Sequence, residues 1–342
     1  MNLRELSERL NLSQTTVSRA LNGYPEVNAK TRARVHAAAT KYNYAPNMRA
    51  RTLATGRSMS IGHVIPLSRQ EDIVNIVFAD FIAGAGAVYG EHGYHLALSI
   101  VKDDEELSAY SRIAERGAVD GVIVQSPTSD DKRITYLSQL EIPFVVHGRA
   151  SDVNAPYAWV DVNNRRAIET ATTHLTDLGH RRIAFLNGFA HMDFAIRRQA
   201  GYVEALEKAG ITPDEMLMRS GEMSEPNGYA AAMSLLRRDN APTAFVASSI
   251  VLALGIKRAA SQLGLMLGRD LSVVCFDDDI SYLPNAGDVP FFTAVKSSVR
   301  AAGARCAELL IDQINTPDAP LPGELWEAEL IVGSSTGPAH PA

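Results

Sequence analysis

Leu12-Ser13-Gln14-Thr15-Thr16-Val17-Ser18-Arg19-Ala20-Leu21-Asn22-Gly23 reads as one short helix with both ends marked. The Ser13 hydroxyl can accept a hydrogen bond from an amide left unpaired in the first turn, and Gly23 suits a C-terminal stop. This predicts a helix from about Gln14 to Leu21. On it Val17, Ala20 and Leu21 share one apolar face, while Gln14, Thr15, Ser18 and Arg19 point elsewhere. Upstream, Leu3, Leu6 and Leu10 form a second apolar stripe from Asn2 to about Arg9, and Asn11 and Leu12 leave room only for a tight turn. Two short helices so joined, the second carrying side chains that can reach base edges and phosphates, make a helix-turn-helix shaped for the major groove of DNA.

The charge distribution agrees. The 342 residues carry a net charge of −6, yet residues 1–57 hold ten Lys and Arg against three Asp and Glu, which is +7, so the rest carries −13. A basic unit on an acidic body is the footprint of a nucleic-acid-binding domain attached to something else. A third helix is predicted from Ala29 to Tyr42, capped by Asn28 and packing Val35, Ala38 and Ala39 inward. Proline disfavours helix in the residue before it, so Tyr42-Asn43-Tyr44-Ala45-Pro46-Asn47 closes the unit at about residue 46. The following segment, 47–57, is basic and helix-capable but too poor in apolar residues to fold alone. It can order on DNA, with Leu53 wedged between base pairs in the minor groove.

The body, from 58 to about 335, alternates short apolar strands with amphipathic helices. Ile61–Ile65, His95–Ser99, Gly121–Val124 and Phe144–Val146 form one set; Ile183–Leu186, Ala244–Val246 and Ser272–Phe276 form a second. Two such sets imply two parallel-sheet lobes, with lobe one at about 58–160 and 292–322 and lobe two at about 161–291 and 323–335. Ligands of parallel sheets bind beyond the carboxyl ends of the strands, so two facing lobes make a cleft. At those ends lie Gln125, Arg149, Asp161 and Asp277; Arg198 follows in a helix, and Phe78 offers a stacking face. Arginines, carboxylates and an aromatic suit a polyhydroxylated ligand.

Other chemistry is expected to be absent. Cys275 and Cys306 sit in apolar sequence without metal-ligand spacing and read as buried free thiols in a reducing compartment. No apolar run reaches membrane length and no secretory signal opens the chain, so a cytoplasmic location is expected. Asp278 and Asp279 lack the pattern of a calcium loop and read as loop solvation and helix-start charge. His92 and His95 read as structural. Gly84, Gly86 and Gly90 lie too far from their strand for a dinucleotide loop. No metal or cofactor is expected.

Thr16-Val17-Ser18-Arg19-Ala20-Leu21-Asn22, Val27-Asn28-Ala29-Lys30-Thr31-Arg32 and Tyr42-Asn43-Tyr44-Ala45-Pro46-Asn47 resemble, in order and spacing, the DNA-binding headpiece of the LacI/GalR family of bacterial transcription regulators. The resemblance extends to Phe78, Arg198-Gln199-Ala200-Gly201 and Phe276-Asp277-Asp278. It implies an all-α helix-turn-helix headpiece on a two-lobed α/β core like that of periplasmic binding proteins. Gln14, Thr15 and Arg19 would read bases, Thr16, Ser18 and Asn22 would make further DNA contacts, and Leu53 would be the hinge wedge. For the effector site it implies Phe78, Arg198 and Asp277, which join Gln125, Arg149 and Asp161 from the strand ends and Ser249 ahead of Ala253-Leu254-Gly255. Ser249-Ile250 stands where the family often has Asn-Asp, and 66–75 is longer and more charged than usual. The tail after Gly333 lacks the leucine heptad of a tetramer-forming helix, so a homodimer on pseudo-palindromic double-stranded operator DNA is expected. The implied function is a repressor of carbohydrate use released by a small sugar; the first-lobe and His147-Gly148-Arg149 stretches resemble regulators of α-glucoside uptake. A co-repressor mode with a purine or sugar phosphate stays open, as does a sugar-binding protein without regulatory role. A carbohydrate-active or nucleotide-dependent enzyme would need an acid–base pair or a phosphate loop, and neither is found.

Overall fold

Side-chain caps set the ends of the N-terminal helices in the computed structural model, which describes residues 1–21, 23–44, 56–67 and 75–339. The chain divides into two compact units, 1–58 and 59–342. In the first, α1 (Leu3–Leu10) opens with a reciprocal cap between Asn2 and Glu5 and ends at Asn11 in the left-handed region. The Ser13 hydroxyl accepts the Thr16 amide at 3.0 Å and starts α2 (Gln14–Leu21), while Gly23, at φ +73°, follows its end. Asn28 caps α3 (Ala29–Lys41) by accepting the Thr31 amide at 2.8 Å. Leu6, Leu10, Val17, Ala20, Val27, Val35, Ala38 and Ala39 form the core of this unit. The Arg34 guanidinium donates to the Leu10 carbonyl, tying α3 to the turn between the first two helices.

The second unit holds two six-stranded sheets. The first is built from β1 (Ser60–Pro66), β2 (His95–Val101), β3 (Gly121–Gln125), β4 (Phe144–His147), β5 (Ala158–Val162) and β11 (Gly323–Trp326), in the order β11-β5-β4-β3-β1-β2, all parallel. Helices α4 (Ile76–Glu91) and α11 (Val299–Asn315) cover one face, where Phe81, Ala85, Cys306 and Leu310 meet Ile61, Ile123 and Val145. Helices α5 (Glu106–Glu115) and α6 (Lys132–Gln139) cover the other, where Tyr110, Ile134 and Leu137 meet Val122, Val124 and Val146. Residues alternating along each strand thus feed two cores, as a sheet buried on both faces requires.

The second sheet repeats the plan with β6 (Ile183–Asn187), β7 (Met218–Ser220), β8 (Ala244–Ala247), β9 (Ser272–Asp277), β10 (Thr293–Lys296) and β12 (Glu329–Ile331), in the order β12-β10-β9-β8-β6-β7 with only β12 antiparallel. Helices α7 (Asn164–Asp177) and α8 (Asp193–Lys208) pack on one face, and α9 (Glu225–Leu236) and α10 (Ile250–Gln262) on the other.

Two lobe boundaries expected from the sequence are corrected by strand pairing. Residues 293–296, placed above with lobe one, pair with β9 in the second sheet, Val295 opposite Phe276. Residues 323–326, placed with lobe two, pair with β5 in the first sheet, Leu325 opposite Asp161. The chain therefore crosses between sheets just after Val162, again between Lys296 and α11, and again between Trp326 and β12. Strand-helix alternation reports element order but not which sheet a short strand joins.

Asp278 and Asp279 also depart from the solvation reading: Asp279 pairs with Lys296 at 2.7 Å, and Asp278 is half-buried at the end of β9. Cys275 and Cys306 are buried free thiols. The His92 ring donates from Nδ1 to the Val88 carbonyl at 3.0 Å, while His95 lies on an exposed stretch of β2. Gly84 has a packing reason unrelated to phosphates: a Cβ there would lie 2.0 Å from the Arg300 carbonyl oxygen, and one on Gly303 would lie 2.1 Å from that of Phe81, so α4 and α11 cross at backbone contact. Gly86 faces open space. Gly84→Ala should therefore destabilise the fold by about 1–3 kcal/mol through overpacking, whereas Gly86→Ala should stabilise it by about 0.5–1 kcal/mol through helix propensity. Urea unfolding of the two variants side by side checks the opposite signs.

Candidate functional site

On α2 the packing of Val17 and Ala20 inward fixes what remains outside. Gln14, Thr15 and Arg19 are exposed, while Thr16 and Ser18 are half-buried, Thr16 with its hydroxyl 2.8 Å from that of Ser13. The helix thus presents an amide, a hydroxyl and a guanidinium on its free side, a donor and acceptor set able to read base edges. Asn22 and Leu53, expected to contact DNA, lie outside the described residues, as does most of the 47–57 segment.

In the second unit the parallel pairing puts the carboxyl ends of each sheet's strands on one edge, which gathers the expected cleft residues in three groups. Phe78, near the start of α4, and Gln125, the last residue of β3, line one pocket with His63, Ile65, Ile123 and Arg133. The Gln125 amide nitrogen there is buried without a partner, a donor available to a ligand. Arg133 is held by Asp131 at 2.7 Å, Glu106 at 3.4 Å and the Gln125 carbonyl at 3.1 Å. Burial alone would raise the Asp131 carboxyl, but the Arg133 hydrogen bonds prevail and hold it below the usual carboxylate range.

The second group centres on Asp161, the penultimate residue of β5 and 6% exposed. Arg149 donates to its Oδ2 at 2.8 Å and stacks 4.9 Å from the Trp159 ring. Arg197 reaches the same oxygen at 3.3 Å, and the Asn164 amide donates to Oδ1 at 3.1 Å. Both Asp161 oxygens and the Arg149 Nε are thus engaged within the protein. Burial raises the Asp161 carboxyl despite the two arginines.

The third group surrounds Arg198, which is 5% exposed. Its Nε donates to Asn164 Oδ1 at 2.7 Å and its Nη1 to the Ser248 carbonyl at 2.5 Å. Its guanidinium carbon lies 4.0 Å from the Phe276 ring and 5.0 Å from the Phe194 ring. Burial lowers its pKa to about 10. Asp277 ends β9 and accepts the Asp279 amide at 2.9 Å, while Asp278 beside it is pushed up to about 7 by burial, with Arg198 opposing and Asp277 adding. Ser249 is buried and its hydroxyl caps α10 by accepting the Leu252 amide at 3.2 Å, which fits its place before that helix.

Arg133, Asn164, Asp193 and Arg197 escaped the sequence reading, and Asp278 was read there as loop solvation. Asn164 follows a second asparagine at the start of α7, and Arg197 stands directly before Arg198; an asparagine pair after a strand and a doubled arginine were the only signals. Most of the 66–75 stretch lies outside the described residues. Among the described residues no group of three His, Cys, Asp or Glu side chains is placed to hold a metal ion.

Residues 2–47 match the family model described as bacterial regulatory proteins, lacI family, and residues 172–336 match the periplasmic binding protein-like domain. The HTH-type transcriptional regulator AglR of Rhizobium meliloti is 46% identical over 99% of this chain and 95% of its own length. Among solved structures, the lac repressor dimer bound to operator and the anti-inducer ONPF has a TM-score of 0.81 at 26% identity, covering 98% of this chain and 99% of that one. A transcriptional regulator CelR-cellobiose complex has a TM-score of 0.71 at 28% identity, covering 98% and 99%.

The pocket floor carries a pH dependence. Burial lowers the His63 ring, whose Nε2 lies 3.1 Å from the Tyr89 hydroxyl, from its ordinary 6.5 to about 4. The unfolded chain takes up this proton near pH 6.5 and the folded chain only near 4, so stability is full above about 6.5 and falls as pH drops toward 4. At pH 5 the loss is about 2 kcal/mol. His63→Gln should remove that increment, so its unfolding free energy should fall less between pH 7 and pH 5 than that of the parent; equal falls would show that His63 titrates normally.

Proposed function

The chain belongs to the LacI family of bacterial regulatory proteins, and from that premise we propose that it is a homodimeric repressor that reads operator DNA through α2 and lets go when an uncharged sugar of the α-glucoside class fills the cleft. As a member of this family it is a DNA-binding transcriptional regulator rather than an enzyme. Among the described residues no helix is long and apolar enough to cross a membrane, and a regulator of transcription works where the operator is, so we place it in the cytoplasm.

The observation that carries the choice of ligand is the charge state of the strand ends. Arg133, Arg149 and Arg197 are each paired with a carboxylate, and Arg198 is satisfied by an amide oxygen and a carbonyl. Asp277 adds a carboxylate with no salt bridge to these arginines among the described residues, while Asp278, pushed up to about 7 by burial, is only partly charged at neutral pH. A phosphate arriving here would meet carboxylates and cations already spent, whereas a sugar hydroxyl meets an acceptor at Asp277, a free donor at Gln125 and an aromatic face at Phe78. The neighbouring CelR structure holds cellobiose, a neutral disaccharide. The α-glucoside class follows from the sequence resemblance around His147-Gly148-Arg149.

A dimer is supported by the edge strand β2, which leaves Leu96, Leu98 and Ile100 exposed on one side, and by Tyr282, Val289 and Phe291 exposed on the second lobe. The similar lac repressor structure is a dimer on its operator.

Two variants separate the parts. Arg19→Ala should cost about 1–3 kcal/mol of operator affinity and leave sugar binding intact. Asp277→Asn, which removes charge but little volume, should weaken sugar binding at least about tenfold while sugar-free operator binding persists. Operator titrations with and without maltose, trehalose, sucrose and glucose 6-phosphate read both effects. Tighter operator binding with the phosphate, or none of the sugars weakening it, would sink the inducer reading.

A further inference from the structure

The two lobes are joined by more than the three crossovers. Asp193, the first residue of α8, is 1% exposed, and its carboxylate takes hydrogen bonds from the backbone amide and the hydroxyl of Ser151, which belongs to the loop after β4 on the other lobe. Arg197, one turn along α8, reaches Asp193 at 2.6 Å within its own lobe and then crosses to the Ser151 hydroxyl at 2.9 Å and to Asp161 Oδ2 at 3.3 Å. The Asp193 amide donates to the Pro127 carbonyl at 3.1 Å, and Thr128 and Met192 make an antiparallel bridge. The start of α8 is therefore stitched to two loops of the first lobe.

Resting on the functional reading above, we propose that Ser151, Asp193 and Arg197 form a polar latch between the lobes, and that Asn164 wires it to Arg198 in the effector site. The partners divide in a way that makes the latch reversible. Arg149–Asp161 lies within the first lobe and Arg197–Asp193 within the second, so each buried carboxylate keeps a cation when the lobes part. The contacts that break are Arg197 to Asp161, Arg197 to Ser151, both bonds from Ser151 to Asp193, Asp193 to Pro127 and the Thr128–Met192 bridge. Water replaces the lost partners on opening, and no charge is stranded without a counter-charge, which would cost several kcal/mol. Two well-satisfied arrangements separated by half-satisfied ones make a switch rather than a continuous slide.

The wire is a row of hydrogen bonds through one buried side chain. Asn164, 2% exposed, accepts from Arg198 Nε at 2.7 Å and donates to Asp161 Oδ1 at 3.1 Å and to the Val162 carbonyl at 3.1 Å. A ligand that draws the Arg198 guanidinium toward itself moves the acceptor of Asn164, and through its amide the carboxylate that Arg197 grips from the far side. Asn164 is accordingly a positioning residue, and Arg197, although adjacent to Arg198, serves the latch rather than the ligand.

Ser151 is exposed, so Ser151→Ala removes two latch bonds without disturbing a core, and Arg197→Lys keeps the charge but not the fork. The two native cysteines are buried, so spin labels can be attached in the full-length protein at Thr135→Cys on α6 and Glu207→Cys on α8, both exposed positions on opposite lobes. With the latch intact the label pair should give one distance distribution; Ser151→Ala and Arg197→Lys should each add a longer population, and Asn164→Ala should do so only when maltose, trehalose or sucrose is present. In parallel, the factor by which sugar changes operator affinity, about 5 to 150-fold for such coupling, should shift at least fivefold in Ser151→Ala while its DNA-free sugar affinity stays within threefold. Unchanged distances and an unchanged factor in both latch variants would overturn the proposal. The distance measurement needs neither sugar nor operator, so a protein that answers no sugar on the panel would discredit the functional reading while still testing the latch.

Discussion

A guanidinium taken almost wholly out of water has to be satisfied on every side, and the arrangement between the two sheets follows from how Arg198 meets that demand. Aromatic rings from β9 and α8 flank it, a carbonyl at the end of β8 takes one arm, and the first residue of α7 takes another. Four elements of the second lobe are thereby pinned to one side chain, and through Asn164 the pin extends to Asp161 near the end of β5 in the first sheet. Removing the charge from water is costly unless such partners are in place. Among the described residues no carboxylate is hydrogen-bonded to it; Asp278 and Asp161 act on it through space, and the ring faces and carbonyl oxygens make the direct contacts.

The N-terminal unit was legible almost residue by residue because its signals are local. Ser13, Gly23 and Asn28 cap or stop helices through contacts within three or four residues, and the 3.6-residue spacing of Leu6, Leu10, Val17, Ala20 and Val35 is enough to choose the inner faces. The long apolar strands were legible for the same reason. The short edge strands were not: Met218–Ser220 and Glu329–Ile331 have three residues each, and whether Gly323–Trp326 joins the first sheet or the second depends on where it docks, which no local pattern encodes.

The cleft was legible as a set of residue types at strand ends, and less so as a set of roles. Asp161 and Arg149 were picked as ligand contacts from position alone; their partners, Arg197 and Asn164, lie 36 and 3 residues from Asp161, and only the fold brings the four together. Ser249 stood out as a short side chain in place of a longer amide, and its hydroxyl is used by the helix it begins. Gln125 differs from these: it is the side chain left with a buried unused donor, which a sequence cannot show because it depends on what is missing around it.

The glycines at the helix seams carry a mechanical meaning. Gly84 and Gly303 lock α4 to α11, Gly201 locks α8 to α7, and Gly228 and Gly255 lock α9 to α10, each at a separation where one added carbon would collide with the neighbouring backbone. Seams that tight resist sliding of these three helix pairs. A rotation of one lobe against the other therefore falls on the three crossover segments, which act together as the leaves of one flexure rather than as a single hinge.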